Sequence, residues 1–195
     1  MKIRLLFILF VAMCTKTSAQ KNLLAGYTHT INYSDHKITL QLQEMGQERK
    51  FTDPAKKYYW FSSNQIKVTQ GGYSGKLLDG NYSDYYLNNN LKEKGRFDMG
   101  LKTGEWNYWT DKGILLSKVN YRDGILSGQF FKYDTAGNLA EQGSYKNGLV
   151  DGKFIKTISK DSAQTSYYKN GSPKPVRKER KWWDKLSFWK KSKKG

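Results

Sequence analysis

Glu105-Trp106-Asn107-Tyr108-Trp109-Thr110-Asp111-Lys112-Gly113-Ile114-Leu115-Leu116-Ser117-Lys118-Val119-Asn120-Tyr121-Arg122-Asp123-Gly124-Ile125-Leu126-Ser127-Gly128 is one copy of a pattern that recurs along the chain. Tyr73, Phe97, Tyr121 and Tyr145 stand 24 residues apart, and Gly80, Gly104, Gly128 and Gly152 keep the interval. So do Tyr82, Trp106, Phe130 and Phe154, and likewise Tyr85, Trp109 and Tyr133. Gly100, Gly124 and Gly148, with Leu91, Leu115 and Leu139, complete the register. A fixed period of this size marks one small supersecondary unit copied along the chain. Stacked units of this kind build an extended surface more readily than a catalytic pocket.

Within the quoted unit, Glu105 to Thr110 is short and aromatic-rich, which favours a strand. Asp111-Lys112-Gly113 signals a tight turn. Ile114 to Arg122 reads as the returning strand, and Asp123-Gly124 turns the chain into the next unit. Each unit is therefore expected to be a β-hairpin, and successive units an antiparallel meander. Strict alternation puts Leu115, Ser117, Val119 and Tyr121 on one face, and Leu91, Glu93, Gly95 and Phe97 likewise. Gly95 and Gly143, two residues before the recurrent aromatic, are expected to leave room for a neighbouring ring, whereas Val119 breaks that feature.

The stretches Gly-Glu-Trp-Asn-Tyr-Trp-Thr-Asp-Lys-Gly (104–113) and Tyr-Lys-Asn-Gly-Leu-Val-Asp-Gly (145–152) resemble MORN repeats, in the variant common in bacterial exported proteins. The resemblance implies an all-β, elongated antiparallel sheet of stacked hairpins. It covers residues 57–152 as four units, 57–80, 81–104, 105–128 and 129–152. Four units of two strands would span roughly 40 Å. Tyr168-Lys169-Asn170-Gly171 returns one residue early, so 153–171 reads as a worn fifth unit. Repeat stacks need capped ends. Residues 26–33 (Tyr27, His29, Ile31, Tyr33) and 37–43 (Ile38, Leu40, Leu42) both alternate, which makes 20–56 a capping hairpin followed by a polar loop from 44.

Residues 1–19 read as a signal peptide. Lys2 and Arg4 form a basic head, Leu5 to Met13 an apolar stretch, and Thr17-Ser18-Ala19 a small-residue cleavage site. That apolar stretch is short for a membrane span. Val11-Ala12-Met13-Cys14 also resembles a lipobox, except at Met13, so cleavage after Ala19 and lipidation at Cys14 both remain open. Either outcome implies export, to the periplasm or outer membrane of a Gram-negative-type bacterium. Cys14 is the sole cysteine, which removes disulfides and thiolate metal sites from the body.

The net charge of +17 is unevenly spread. Residues 57–152 carry 12 basic and 10 acidic side chains, whereas 153–195 carry 14 and 3. The repeat surface is thus nearly neutral, which argues against a nucleic-acid platform. The basic character belongs to a tail, 172–195, introduced by Gly171-Ser172-Pro173-Lys174-Pro175. On a helix, Trp182, Leu186 and Trp189 share a face flanked by Trp183, while Lys185, Lys190 and Lys191 supply charge. Three uses stay open for this segment: contact with an anionic membrane surface, docking on the sheet or on a protein, or a solvated chain.

Motifs for chemistry are sparse. His29 and His36 have only Asp35 nearby, too few ligands for a metal. No phosphate loop or nucleophile elbow is recognisable, and Asp111, Asp123 and Asp151 fall in turns, where aspartate has a local structural role. No cofactor and no catalytic residue is expected. Tyr85, Trp109 and Tyr133 form an aromatic strip opposite Tyr82, Trp106 and Phe130; either a curled sheet buries both rows or the strip binds a protein or glycan. The expected function is a non-enzymatic exported scaffold that binds an unidentified envelope protein or the membrane surface. The resemblance also supplies an alternative, an antitoxin-like inhibitor that neutralises a partner protein.

Overall fold

The computed structural model describes residues 28–175. The leader with Cys14, Tyr27 of the capping hairpin and the tail residues Trp182, Trp183, Lys185, Leu186, Trp189, Lys190 and Lys191 lie outside the described residues. Fifteen strands and no helix are present among them. Strands β1 (Thr28–Asn32) and β2 (His36–Leu42) form the N-terminal hairpin, and β3 (Lys57–Ser62) and β4 (Gln65–Gln70) a second. Then follow β5 (Lys76–Tyr86), β6 (Leu91–Asp98), β7 (Leu101–Trp109), β8 (Leu115–Arg122), β9 (Ile125–Leu126) and β10 (Gly128–Tyr133). The chain continues through β11 (Leu139–Lys146), β12 (Leu149–Val150), β13 (Gly152–Ser159), β14 (Ser162–Lys169) and β15 (Ser172–Lys174). One open antiparallel sheet runs in the order β1-β2-β5-β6-β7-β8-β10-β11-β13-β14-β15.

Each unit repeats the same cross-strand pairs. Gly80 faces Phe97, Gly104 faces Tyr121, Gly128 faces Tyr145 and Gly152 faces Tyr168. Two residues on, Tyr82 faces Gly95, Trp106 faces Val119 and Phe130 faces Gly143. The rings on this face form a chain, with centroids 5.4 Å apart for Tyr82–Phe97, 5.0 Å for Phe97–Trp106 and 4.4 Å for Phe130–Tyr145. Such offset and edge-on contacts add to simple burial. This aromatic side, joined by Ile31, Ile38, Leu40 and Leu42 from the N-terminal hairpin, is the core.

The glycines act as expected. A methyl placed on Gly95 would lie 2.2 Å from the Trp106 ring, and one on Gly143 2.9 Å from Phe130. The exception also finds its reason. Val119, on the strand between those of Trp106 and Phe130, needs no such space, because the two rings lie against Gly95 and Gly143 on their other neighbouring strands.

Alternation is interrupted at the same place in successive hairpins. Tyr85 pairs with Leu91 while Asp84 pairs with Glu93, which leaves Lys92 as an extra residue; Leu116 and Ala140 are extra in the next two units. This repeated bulge carries Leu91, Leu115 and Leu139 across to the face of Tyr85, Trp109 and Tyr133. Leu115 therefore does not share a face with Ser117, Val119 and Tyr121, contrary to strict alternation.

The hairpin at 57–70 also departs from the meander. β4 does not pair with β5, because β2 occupies that place through Leu40 opposite Tyr82 and Ile38 opposite Asp84. Instead β3 meets only the start of β5, with Trp60 opposite Leu77. Its aromatics face both ways: Tyr59 and Phe61 pack on the main core, Tyr58 and Trp60 on a second cluster. The worn fifth unit, by contrast, is a full hairpin, β13 with β14.

Candidate functional site

The turns between units make one edge of the sheet. Asp123-Gly124, Asn147-Gly148 and Asn170-Gly171 are left-handed at both residues, φ 50° and 79° in the first. These are the dihedrals of a type I′ turn, whose twist matches that of the flanking strands. The turns are stitched together: the glycine amides of 100, 124, 148 and 171 donate to the carbonyls of Leu78, Lys102, Leu126 and Val150, at 2.7–2.9 Å. Beneath each turn glycine lies an aliphatic residue of the preceding unit. Leu77 lies under Gly100, Leu101 under Gly124, Ile125 under Gly148 and Leu149 under Gly171.

β3 runs across this ladder as a strap. The Tyr59 amide donates to the Gly100 carbonyl at 2.9 Å, one unit along from the Trp60–Leu77 pair. Tyr58 and Trp60 close over Leu77 and Leu101. The loop before β3 adds Arg49, whose Nε donates to the Met99 carbonyl at 3.2 Å. Met99 holds the turn position taken by Asp123, Asn147 and Asn170 elsewhere, and it packs on the Tyr58–Trp60 cluster. The cover explains an apolar residue there.

The strap stops halfway along the row. Leu77 and Leu101 are 0% and 1% exposed, whereas Ile125 and Leu149 are 40% and 50% exposed. Where it stops, a cleft of about 310 Å³ opens between Lys56, Lys57 and Tyr59 on one side and Lys102, Tyr121 and Ile125 on the other.

Lys102 forms the wall of that cleft. Its Nζ is paired with the Glu93 carboxylate and donates to the Tyr108 hydroxyl at 3.1 Å. It lies 3.7 Å from the Trp106 ring centroid and 5.5–5.7 Å from those of Tyr59, Tyr108 and Tyr121. Four rings around an ammonium form a cation–π cage, filled here by a cation of the chain itself. Burial pushes Lys102 below the usual lysine range, and Glu93 partly restores it. Burial, with the Glu93 charge adding, pushes Tyr59, Tyr82 and Tyr108 up. The site is thus an internally neutralised polar centre in an aromatic wall. We expect Lys102→Met to cost about 1–3 kcal/mol, because it strands a largely buried carboxylate. Adding Glu93→Gln should recover much of that loss. Denaturant unfolding of the single and double variants checks the cycle, and purely additive losses would contradict it.

The aromatic strip lies elsewhere. Tyr85, Trp109 and Tyr133 are half-buried on the face away from Tyr82, Trp106 and Phe130, with Lys37 above the Tyr85 ring at 5.3 Å. None of the three joins the cleft. His36 Nδ1 lies 2.6 Å from Asp35, and His29 packs against Phe61. Among the described residues no three His, Cys, Asp or Glu side chains gather as a metal site would require. Sequence reasoning missed Lys102 and Glu93. The available signal was a break in the period, since the residues one unit before and one and two after Lys102 are Leu78, Leu126 and Val150.

Two stretches, residues 78–99 and 126–147, match the family model of the MORN repeat variant. They start at the same point of the unit, two periods apart, and each ends in the turn. Repeats of this kind are typically binding or scaffold units and generally non-catalytic. No curated protein matches the chain.

Proposed function

We propose that this chain is a non-enzymatic, exported β-repeat scaffold of the bacterial envelope, and that it binds a partner protein along the uncovered half of its turn row. One observation carries the reading: the change from 0–1% exposure at Leu77 and Leu101 to 40–50% at Ile125 and Leu149. The same structural row is covered in cis over two units and open over the next two. Exposed aliphatic side chains recurring along one row, with Lys56 and Lys57 beside Ile125, are the kind of surface that marks a docking site. The leader-like segment supports export, and the repeat type supports binding rather than catalysis.

The test is a photo-crosslinking residue at Leu149, compared with one at Lys160 in the far turn of the last hairpin, in the native cell. We expect adducts from 149 and not from 160, with loss of the adducts when Ile125→Asp is added. Equal yields from both positions, or recovery of the chain in the cytosol with residues 1–19 retained, would overturn the proposal.

A further inference from the structure

The strap and the tail share a sequence feature. β3 and the residues before it read Lys56-Lys57-Tyr58-Tyr59, two cations followed by two aromatics, and residues 180–183 read Arg-Lys-Trp-Trp. In the first copy Tyr58 covers Leu77 and Leu101 together with Trp60, Tyr59 turns to the main core beside the cleft, and the lysines lie at the end of the cleft where cover is lost. We infer that Trp182 and Trp183 dock in cis over Leu149 and Ile125, extending along the turn row the cover that β3 begins. This inference rests on the reading of the open row as a docking surface, and it names the chain's own tail as the resting occupant.

Position and polarity favour the assignment. The last turn glycine, Gly171, lies directly over Leu149, and β15 leaves from it. From Lys174, eight residues lead to Trp182, a reach of up to about 26–29 Å. One unit of the row is two strand spacings, roughly 10 Å. The tail can therefore return to Leu149 and continue to Ile125. In doing so it runs in the direction of β3, which passes from the Ile125 end towards Leu77. Chemistry favours it too. Extended aromatic residues already close this row once, and a second pair of indoles would bury the two aliphatic residues that the strap leaves open. A partner protein would then have to displace the tail.

A membrane surface is the competing destination for the same tryptophans, and the experiment separates the two. The side-chain methyl resonances of Ile125 and Leu149 are recorded by NMR in the full chain and in the Trp182→Ala/Trp183→Ala variant. Indole ring currents should shift both residues upfield in the full chain, and the shifts should vanish in the variant. The Leu77 and Leu101 methyls should stay fixed, which confirms that the variant is folded. In a second arm, vesicles of phosphatidylcholine and phosphatidylglycerol are added to the full chain. The proposal expects the Ile125 and Leu149 shifts to persist. Identical spectra for these two residues in both chains would overturn it. So would their release on adding vesicles together with a blue shift of tryptophan emission, which would assign the tail to the membrane. Crosslinking from Leu149 to another protein, with no tail-dependent shift, would remove the tail as occupant and leave the docking surface in place.

Discussion

Trp106→Ala is expected to remove about 3–5 kcal/mol of unfolding free energy, the usual cost of deleting a fully buried aromatic. Trp106 is completely buried, with Phe97, Tyr82 and Tyr121 at centroid distances of 5.0, 5.6 and 6.2 Å. Its face also carries Lys102 at 3.7 Å. The deletion thus opens a cavity and strips the charged pair of its nearest ring. Domains of this size hold only about 5–15 kcal/mol in total, so the variant should be close to unfolding at moderate temperature. Phe154 lies towards the uncovered end and is only half-buried. Phe154→Ala should cost clearly less, and equal losses by denaturant titration would contradict a core centred on β5 to β8.

Gly95→Val is expected to be nearly as damaging. A Cβ at residue 95 would stand 2.2 Å from the Trp106 ring, well inside contact distance, and the indole has Lys102 over its face and Phe97 at its side. Overpacking of this kind costs about 1–3 kcal/mol, or more where the neighbours cannot yield. The two predictions are coupled. In the Trp106→Ala background the space is vacant, so Gly95→Val should become nearly neutral or partly restorative. A penalty for Gly95→Val that stayed the same with and without the indole would show that the glycine serves some other purpose.

Much of the fold was legible in the chain because the period, the Asp-Gly and Asn-Gly turns and the aromatic positions all report local preferences. The hairpins, the turn glycines and the close approach at Gly95 follow from them. What escaped was settled by competition between distant segments. Residues 57–80 carry the period, yet β2 wins the edge of β5, because Ile38, Leu40 and Leu42 continue the buried face that begins at Tyr82. The bulges at Lys92, Leu116 and Ala140 moved the leucine series to the other face, and no local signal announces them. Lys102 was visible only as an outlier among Leu78, Leu126 and Val150. Its partner Glu93, on the neighbouring strand, could not be assigned until the register was known.

Half-covering of the turn row is the point on which the functional reading depends, and methyl accessibility to a soluble paramagnetic probe tests it directly. The measurement uses the full chain carrying Trp182→Ala and Trp183→Ala, so that the tail indoles shield nothing. The structure predicts strong shielding of Leu77 and Leu101 and ready access to Ile125 and Leu149, in the order of their exposure. Uniform access along the row would mean that β3 does not strap it. Uniform shielding would mean that no docking surface is left open.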